Sequence, residues 1–258
     1  MVDPHHAAHW YPTAAYLYVL WLDTLALAWE YLRRHPDYRR DWLRRRRWPQ
    51  VEQDAAQAWG LRLLEDPALD ARDAHPAWQP GHAGVVQLHP DEDPPANAVP
   101  FALWRIAGHK QLIHDGKRLA LIARSPGRCR RFALAPGLHD GMAFAYAVRA
   151  GAAPSAGFAF DMVQTASSAP AAMASSRPTP GALLELHTLQ ALDAALAGAS
   201  LREMAEGLFG VDAVAADWHT DSALRARVRR LVRRGDVLMR GGYRRLAQLP
   251  PLPLHPSQ

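Results

Sequence analysis

The residues with the clearest chemical potential are nine arginines near one end of the chain, between positions 224 and 245. Guanidinium groups bind phosphates through paired N–H donors and match the O6 and N7 acceptors of guanine. Within this stretch, apolar residues recur at helical spacing, and arginines take most of the remaining positions. The apolar positions are Leu224, Val228, Leu231, Val232 and Leu238. The pattern predicts an amphipathic helix over about 222–239 with one cationic face.

Such a helix could bind double-stranded DNA, with two kinds of contact. The early residues Ser222, Arg225, Ala226 and Arg229 are expected to face base edges in the major groove. Phosphate contacts are expected from Arg227, Arg230, Arg233, Arg234, Arg244 and Arg245. Tyr243 begins a short arm, residues 243–245, which is predicted to follow a tight turn at glycines 241–242. The alternative is a solvated arginine-rich helix that binds no DNA.

Two further predicted helices would position this one. The first is indicated by Leu183, Leu186, Leu189, Leu192 and Leu196, which recur at helical spacing. Ser200 and Glu203 form a capping box that starts the second helix, and Gly210 ends it. Residues 211–221 are predicted to be a connection, with Asp221 as the N-cap of the arginine-rich helix. A short capped helix before a cationic helix is typical of helix-turn-helix DNA-binding domains.

The rest of the chain predicts an α+β protein of 258 residues with several regions. Asp23 is the expected N-cap of an N-terminal helix, and Pro36 is expected in the first turn of the next. The predicted regions are a helical N-terminal unit (13–50), a small mixed α/β middle domain (51–164), a linker (165–180) and an all-α helix-turn-helix domain (181–249). In the middle domain, helices are predicted at 51–64 and 139–148, and strands at 84–89, 117–124 and 130–134.

Other groups that could do chemistry give weaker indications. The only cysteine, Cys129, excludes an internal disulfide, and both a redox-sensing thiol and an incidental strand cysteine fit its arginine-rich surroundings. The arginines at 39–47 are either a second phosphate contact or a solvated helix face. Histidines 5, 6 and 9 and the acidic residues 91–93 fit flexible segments better than metal sites. No nucleophile motif or phosphate loop is present, so we expect no enzyme, no metal and no cofactor.

The C-terminal quarter resembles the RovC-like DNA-binding domain of proteobacterial transcription factors. The motifs that carry the resemblance are GASLREMAEGLFG, LRARVRRLVRRG and MRGGYRRL. The N-terminal motifs AWEYLRR and PDYRRDW are similar to the transcriptional-regulator-like domain that often precedes it. Family members may carry either domain alone, whereas both lie in one chain here.

The resemblance implies a bacterial, cytoplasmic, nucleoid-associated transcription regulator, of a kind often carried on mobile genetic elements. It also implies an activator that forms a homo-oligomer. The N-terminal and middle regions are then expected to make oligomer contacts or to touch RNA polymerase. Two alternatives remain open: a DNA-binding accessory factor for mobile-element excision or transfer, and an adaptor whose arginines meet an acidic protein. No membrane partner is expected, because the apolar run 14–22 is too short to span a bilayer.

Overall fold

The computed structural model describes residues 10, 12–45, 52–79, 85–114, 119–125, 128–147, 178–219 and 222–249. Two compact units form within the chain. One contains Met1–Arg39, Pro67–Arg72 and Ser175–Leu246, and the other contains Arg40–Asp66, Asp73–Ala174 and Ala247–Gln258. The residues up to Arg39 therefore share a unit with the C-terminal helices. The division into domains at 13–50, 51–164 and 181–249 remains a prediction. Most of the predicted linker, 165–180, lies outside the described residues.

The N-terminal segment is helical, as predicted. A 3-10 helix, Thr13–Trp21, is followed by α1, Thr24–Leu32, and α2, Pro36–Arg45. Asp23 Oδ1 accepts a hydrogen bond from the backbone N–H of Ala26 at 2.8 Å, which confirms the predicted N-cap. Pro36 lies in the first turn of α2, where its missing N–H costs nothing.

The second unit contains one mixed sheet, the helix α3, Glu52–Trp59, and a short 3-10 helix, Leu103–Arg105. The strands are β1 Val85–Pro90, β2 His109–His114, β3 Leu119–Ser125, β4 Arg128–Leu134 and β5 Phe144–Ala147. Their order is β2-β3-β4-β1-β5, with β1 parallel to β4 and every other pair antiparallel. Alternate residues of the central strands form its core, with Val86, Leu88, Leu121, Ala123, Phe132 and Leu134 on one face. The sheet confirms the α+β class.

The predicted helix at 139–148 is wrong, because this segment forms a turn followed by β5. Gly141 has a φ of 88°, which is incompatible with a continuing α-helix. Phe144 packs edge-on against Phe101, with ring centroids 5.9 Å apart. The spacing of Met142 and Tyr146 suggested a helical face, but Phe144 and Tyr146 instead follow the two-residue period of a strand. Strand β2 was missed because it is a polar edge strand.

The C-terminal helices are more numerous than predicted. They are α4 Pro180–Leu196, α5 Leu201–Phe209, α6 Val211–Asp217, α7 Ala223–Val237 and α8 Tyr243–Leu246, with a π-helical segment, Leu238–Gly242, between the last two. The predicted connection 211–221 therefore contains a helix, α6. The N-cap of α7 is Ser222 rather than Asp221, since Ser222 Oγ accepts a hydrogen bond from Arg225 N at 3.1 Å.

Candidate nucleic-acid interface

The arginine-rich helix α7 is held against α4 by a close backbone approach. Val228 and Leu231 are buried on its inner face, and Gly235 is buried between them and the helix end. A Cβ atom at Gly235 would lie 2.9 Å from Leu192 Cβ and 3.3 Å from the carbonyl oxygen of Thr188. Only glycine fits at this crossing without displacing its neighbours on α4. The direction of the α7 axis is therefore set by the contact with α4 and not by the exposed residues of α7.

The opposite face of α7 exposes an arginine strip, which we define as Arg229, Arg230 and Arg233. Within the described residues, none of these three side chains makes an ion pair or a side-chain hydrogen bond. Residues three and four apart are neighbours on a helix, so the three guanidinium groups form one continuous cationic surface. Such a surface has N–H donors available for phosphate oxygens or guanine edges.

The flanks of α7 hold two arginines that already have neighbours. The guanidinium carbon of Arg227 lies 4.7 Å from the centroid of the Phe209 ring at the end of α5. Arg234 forms a salt bridge with Glu185 of α4, and Glu185 also accepts a hydrogen bond from Tyr31 OH at 2.6 Å. Arg225, which precedes them, is partly buried. The predicted phosphate contacts therefore differ in how far each guanidinium can move.

Three residues predicted to contact DNA are buried. Ser222 is 2% exposed and its hydroxyl caps α7, so it has little surface for a base edge. Tyr243 is fully buried and Arg244 is 6% exposed. The predicted arm at 243–245 is instead the short helix α8, which follows a kink where Gly241 has a φ of 147°. Within α8, Arg245 is exposed, whereas the buried Ser222, Tyr243 and Arg244 have little surface to offer DNA.

Helix α5 begins and ends as the sequence predicts. Ser200 Oγ accepts from Glu203 N at 3.3 Å, and Glu203 Oε2 accepts from Ser200 N at 2.7 Å, which completes the capping box. The hydrogen bond from Ser200 also lowers the pKa of the Glu203 carboxyl. Gly210 has a φ of 91° and separates α5 from α6 by one residue. Met204, Ala205 and Leu208 are buried on the inner face of α5.

The core of these helices includes a residue from the start of the chain. Trp10 is 8% exposed and packs with a cluster from the C-terminal helices. That cluster consists of Ala194, Met204, Ala205, Val214 and Val228. The carbonyl oxygen of Trp10 accepts a hydrogen bond from Gln190 Nε2 at 3.2 Å. Sequence reasoning missed this role, because the His- and Pro-rich surroundings of Trp10 indicated a loose terminus.

A buried charge network joins the N-terminal helices to α4. Arg34 binds Asp193 with two hydrogen bonds, of 2.6 Å from Nε and 2.7 Å from Nη2, and also contacts the fully buried Glu30. Tyr16 OH donates to the same Asp193 at 2.8 Å. Burial raises the pKa of the Asp193 carboxyl, but the Arg34 guanidinium outweighs it and the net pKa is lowered. The carboxylate is therefore charged, and its pairing was missed because no sequence pattern spans such a separation.

The other candidate residues have partners of their own or lie outside the described residues. Arg45, in the first arginine cluster, lies over the Trp42 ring and donates a hydrogen bond to the carbonyl oxygen of Leu64. The side chain of Cys129 and histidines 5, 6 and 9 lie outside the described residues. Among the described residues no group of histidine, cysteine and acidic side chains is placed to hold a metal ion. In the same part of the chain, no helix combines the length and apolar character needed to cross a membrane.

Comparison with known families agrees with the resemblance seen in the sequence. Residues 155–248 match the family model described as "T6SS, Transcription factor, DNA binding domain", and residues 9–63 match "Proteobacterial transcriptional regulator-like domain". Residues 83–130 match a domain of unknown function. No curated protein matches the chain. The N-terminal region is thus similar to a proteobacterial transcriptional-regulator-like domain, and the C-terminal region is similar to a transcription-factor DNA-binding domain. Together, the two matches support a DNA-binding regulator.

Proposed function

We propose that this protein is a sequence-specific transcription regulator that reads DNA with α7. The observation that carries the proposal is the arginine strip, Arg229, Arg230 and Arg233, which is exposed and unpaired among the described residues. A strip of this kind costs free energy through self-repulsion unless an anion neutralises it. Nucleic-acid phosphates are the anion that the match to a DNA-binding domain supports.

The position of each arginine along α7 suggests its role. Recognition helices contact base edges mainly through residues near their N-terminus. Arg225 and Arg229 lie in the first two turns of α7 and are assigned to bases. Arg230 and Arg233 lie further along and are assigned to phosphates, with Arg245 as a more distant contact.

The close packing of α7 on α4 supports base readout over non-specific attraction to phosphates. Gly235 fixes the crossing on α4, and Ser222 fixes the first turn of the helix. Base readout needs guanidinium groups held in register with the groove, whereas non-specific attraction to phosphates does not. We further propose that the regulator activates transcription as a homo-oligomer and that it contacts RNA polymerase. The family name of the matched DNA-binding region makes T6SS genes the first targets to test.

Single arginine substitutions separate the two roles. Arg229→Ala should weaken binding to the cognate duplex by about 1–3 kcal/mol and leave binding to a scrambled duplex nearly unchanged. Arg233→Ala should weaken both duplexes alike and reduce the slope of log K against log salt by about one. Fluorescence anisotropy of labelled duplexes across a salt series measures both effects.

Arg105→Ala is the matched control, because it removes the same charge from an exposed position in the sheet unit. It should change neither the affinity nor the salt slope by a comparable amount. Equal losses on both duplexes for Arg229→Ala would refute base reading. Losses for Arg105→Ala as large as for Arg233→Ala would show that only the net charge matters.

A further inference from the structure

Phe209 stands at the point where three helices of the DNA-binding region meet. It is the last residue of α5 and is only partly buried. The guanidinium of Arg227 from α7 lies over its ring at 4.7 Å, and the ring of His187 from α4 lies 5.7 Å away at a tilt of 54°. The ring is therefore held from the α4 side while it contacts an arginine of α7.

The contact restricts an arginine that is otherwise exposed. Arg227 precedes Arg230 by three residues, so the two side chains are neighbours at the edge of the arginine strip. An unsupported arginine loses much rotamer freedom when it binds a phosphate. A guanidinium that already lies on an aromatic face has lost part of that freedom before binding, while its edge N–H groups remain available as donors.

His187 is suited to support the ring without competing for the anion. Burial, and next the charge of Arg227, lower the pKa of His187 below its ordinary value, so its imidazole is neutral near pH 7. A neutral imidazole can pack beside the ring without repelling the nearby guanidinium. Of the three side chains in contact, only Arg227 then carries a charge.

We propose that Phe209 is a positioning residue that holds Arg227 ready for a phosphate of the DNA backbone. This inference rests on the proposed function and deepens it by adding a contact outside the strip. Phe209 itself touches no DNA. Its effect passes through Arg227 and is therefore independent of base sequence.

The test is a double-mutant cycle in the full-length protein, read by anisotropy on cognate and scrambled duplexes. Phe209→Leu keeps an apolar side chain and removes the ring, Arg227→Gln removes the charge, and Phe209→Tyr keeps the ring. Phe209→Leu should weaken binding to both duplexes by about two- to fivefold, the range expected for loss of a cation–π contact. It should cost nothing further in the Arg227→Gln background, and Phe209→Tyr should bind like the unchanged protein.

A second readout does not depend on DNA. In the free protein the side-chain protons of Arg227 should show an upfield ring-current shift in NMR spectra, which Phe209→Leu abolishes and Phe209→Tyr retains. Thermal unfolding of each variant reports whether it still folds.

The outcomes distinguish the two proposals. An equal loss from Phe209→Leu in both backgrounds, or a loss from Phe209→Tyr as large as from Phe209→Leu, assigns Phe209 to packing alone and overturns the inference. Normal DNA binding by Phe209→Leu overturns it as well and leaves the proposed function intact. If the unchanged protein binds neither duplex, the proposed function fails and takes this inference with it.

Discussion

The arginines of α7 differ in their neighbours, and the different roles proposed for them rest on that difference. Arg229, Arg230 and Arg233 face solvent, Arg227 lies on Phe209, and Arg234 is paired with Glu185. Arg34, in the N-terminal segment, is instead buried and serves the fold through Asp193 and Glu30. Guanidinium groups bind carboxylates as readily as phosphates, so only the surroundings decide which anion an arginine meets.

Removing Arg34 should be one of the most destabilising single changes in the helical unit. Arg34→Met removes one of the two arginines paired with the buried Glu30 and takes the bidentate partner from Asp193. Breaking a buried ion pair on one side costs about 3–5 kcal/mol of the free energy of unfolding. Chemical denaturation of the full-length protein measures this loss.

Arg240→Met is the control, because the Arg240–Asp236 pair is exposed and should contribute far less.

Acid titration gives a second check. The folded pKa values of Glu30 and Asp193 are lowered, since the Arg34 charge outweighs the effect of burial. Their contribution to stability is therefore fully present above the unfolded pKa of about 4 and is lost as pH falls from there through the lower folded pKa values. Similar acid unfolding of Arg34→Met and the unchanged protein would contradict this account.

Prediction from sequence was weakest for single residues that depend on distant partners. The spacing around Ser222 correctly placed it at the start of α7, but spacing cannot distinguish a buried capping hydroxyl from one that faces a groove. The role of Trp10 depends on helices far along the chain and leaves no local signal. The arginine strip was predicted correctly as a surface, since its pattern is local.

Among the elements, α4 and α7 decide the geometry of the candidate interface. Gly235 lets the two backbones approach, and Leu192 fills the space beside it. Element boundaries with local signals, such as the capping box at Ser200 and the stop at Gly210, were predicted correctly. The strand β5 was not, because its pairing with β1 is a non-local contact that outweighs a weak helical spacing.

Gly235→Ala tests the helix crossing. Alanine favours a helix interior over glycine by about 1 kcal/mol. The new methyl group nevertheless meets Leu192 and the Thr188 carbonyl too closely, and overpacking of this kind costs about 1–3 kcal/mol. We expect a net loss of stability and weaker binding to the cognate duplex, measured by thermal unfolding and anisotropy.

Gly181→Ala is the matched control within α4. Its added Cβ would meet only Thr179 Oγ1, at 3.9 Å, which is an ordinary contact. This variant should be as stable as the unchanged protein or slightly more so. If Gly235→Ala behaves in the same way, the close approach does not determine the position of α7.

At the scale of the whole molecule, the residues up to Arg39 and the helices of the region matched to a DNA-binding domain belong to one compact unit. Trp10 fills the core of that unit, and Arg34, Tyr31 and Tyr16 bind α4. A partner that binds the N-terminal helices would therefore act on helices that seat α7 directly. The net charge of +5 adds a general attraction to nucleic acid but supplies no sequence preference.

The most direct measurement is binding of the full-length protein to DNA upstream of its own gene and neighbouring genes, compared with a scrambled duplex, across a salt series. The account predicts that at least one fragment binds about a thousandfold or more tighter than the scrambled duplex near 0.15 M salt. That preference should disappear in Arg229→Ala. Weak binding that is equal on all duplexes and vanishes with salt would contradict the account, because it would leave the arginine strip as a cationic surface without a reading role.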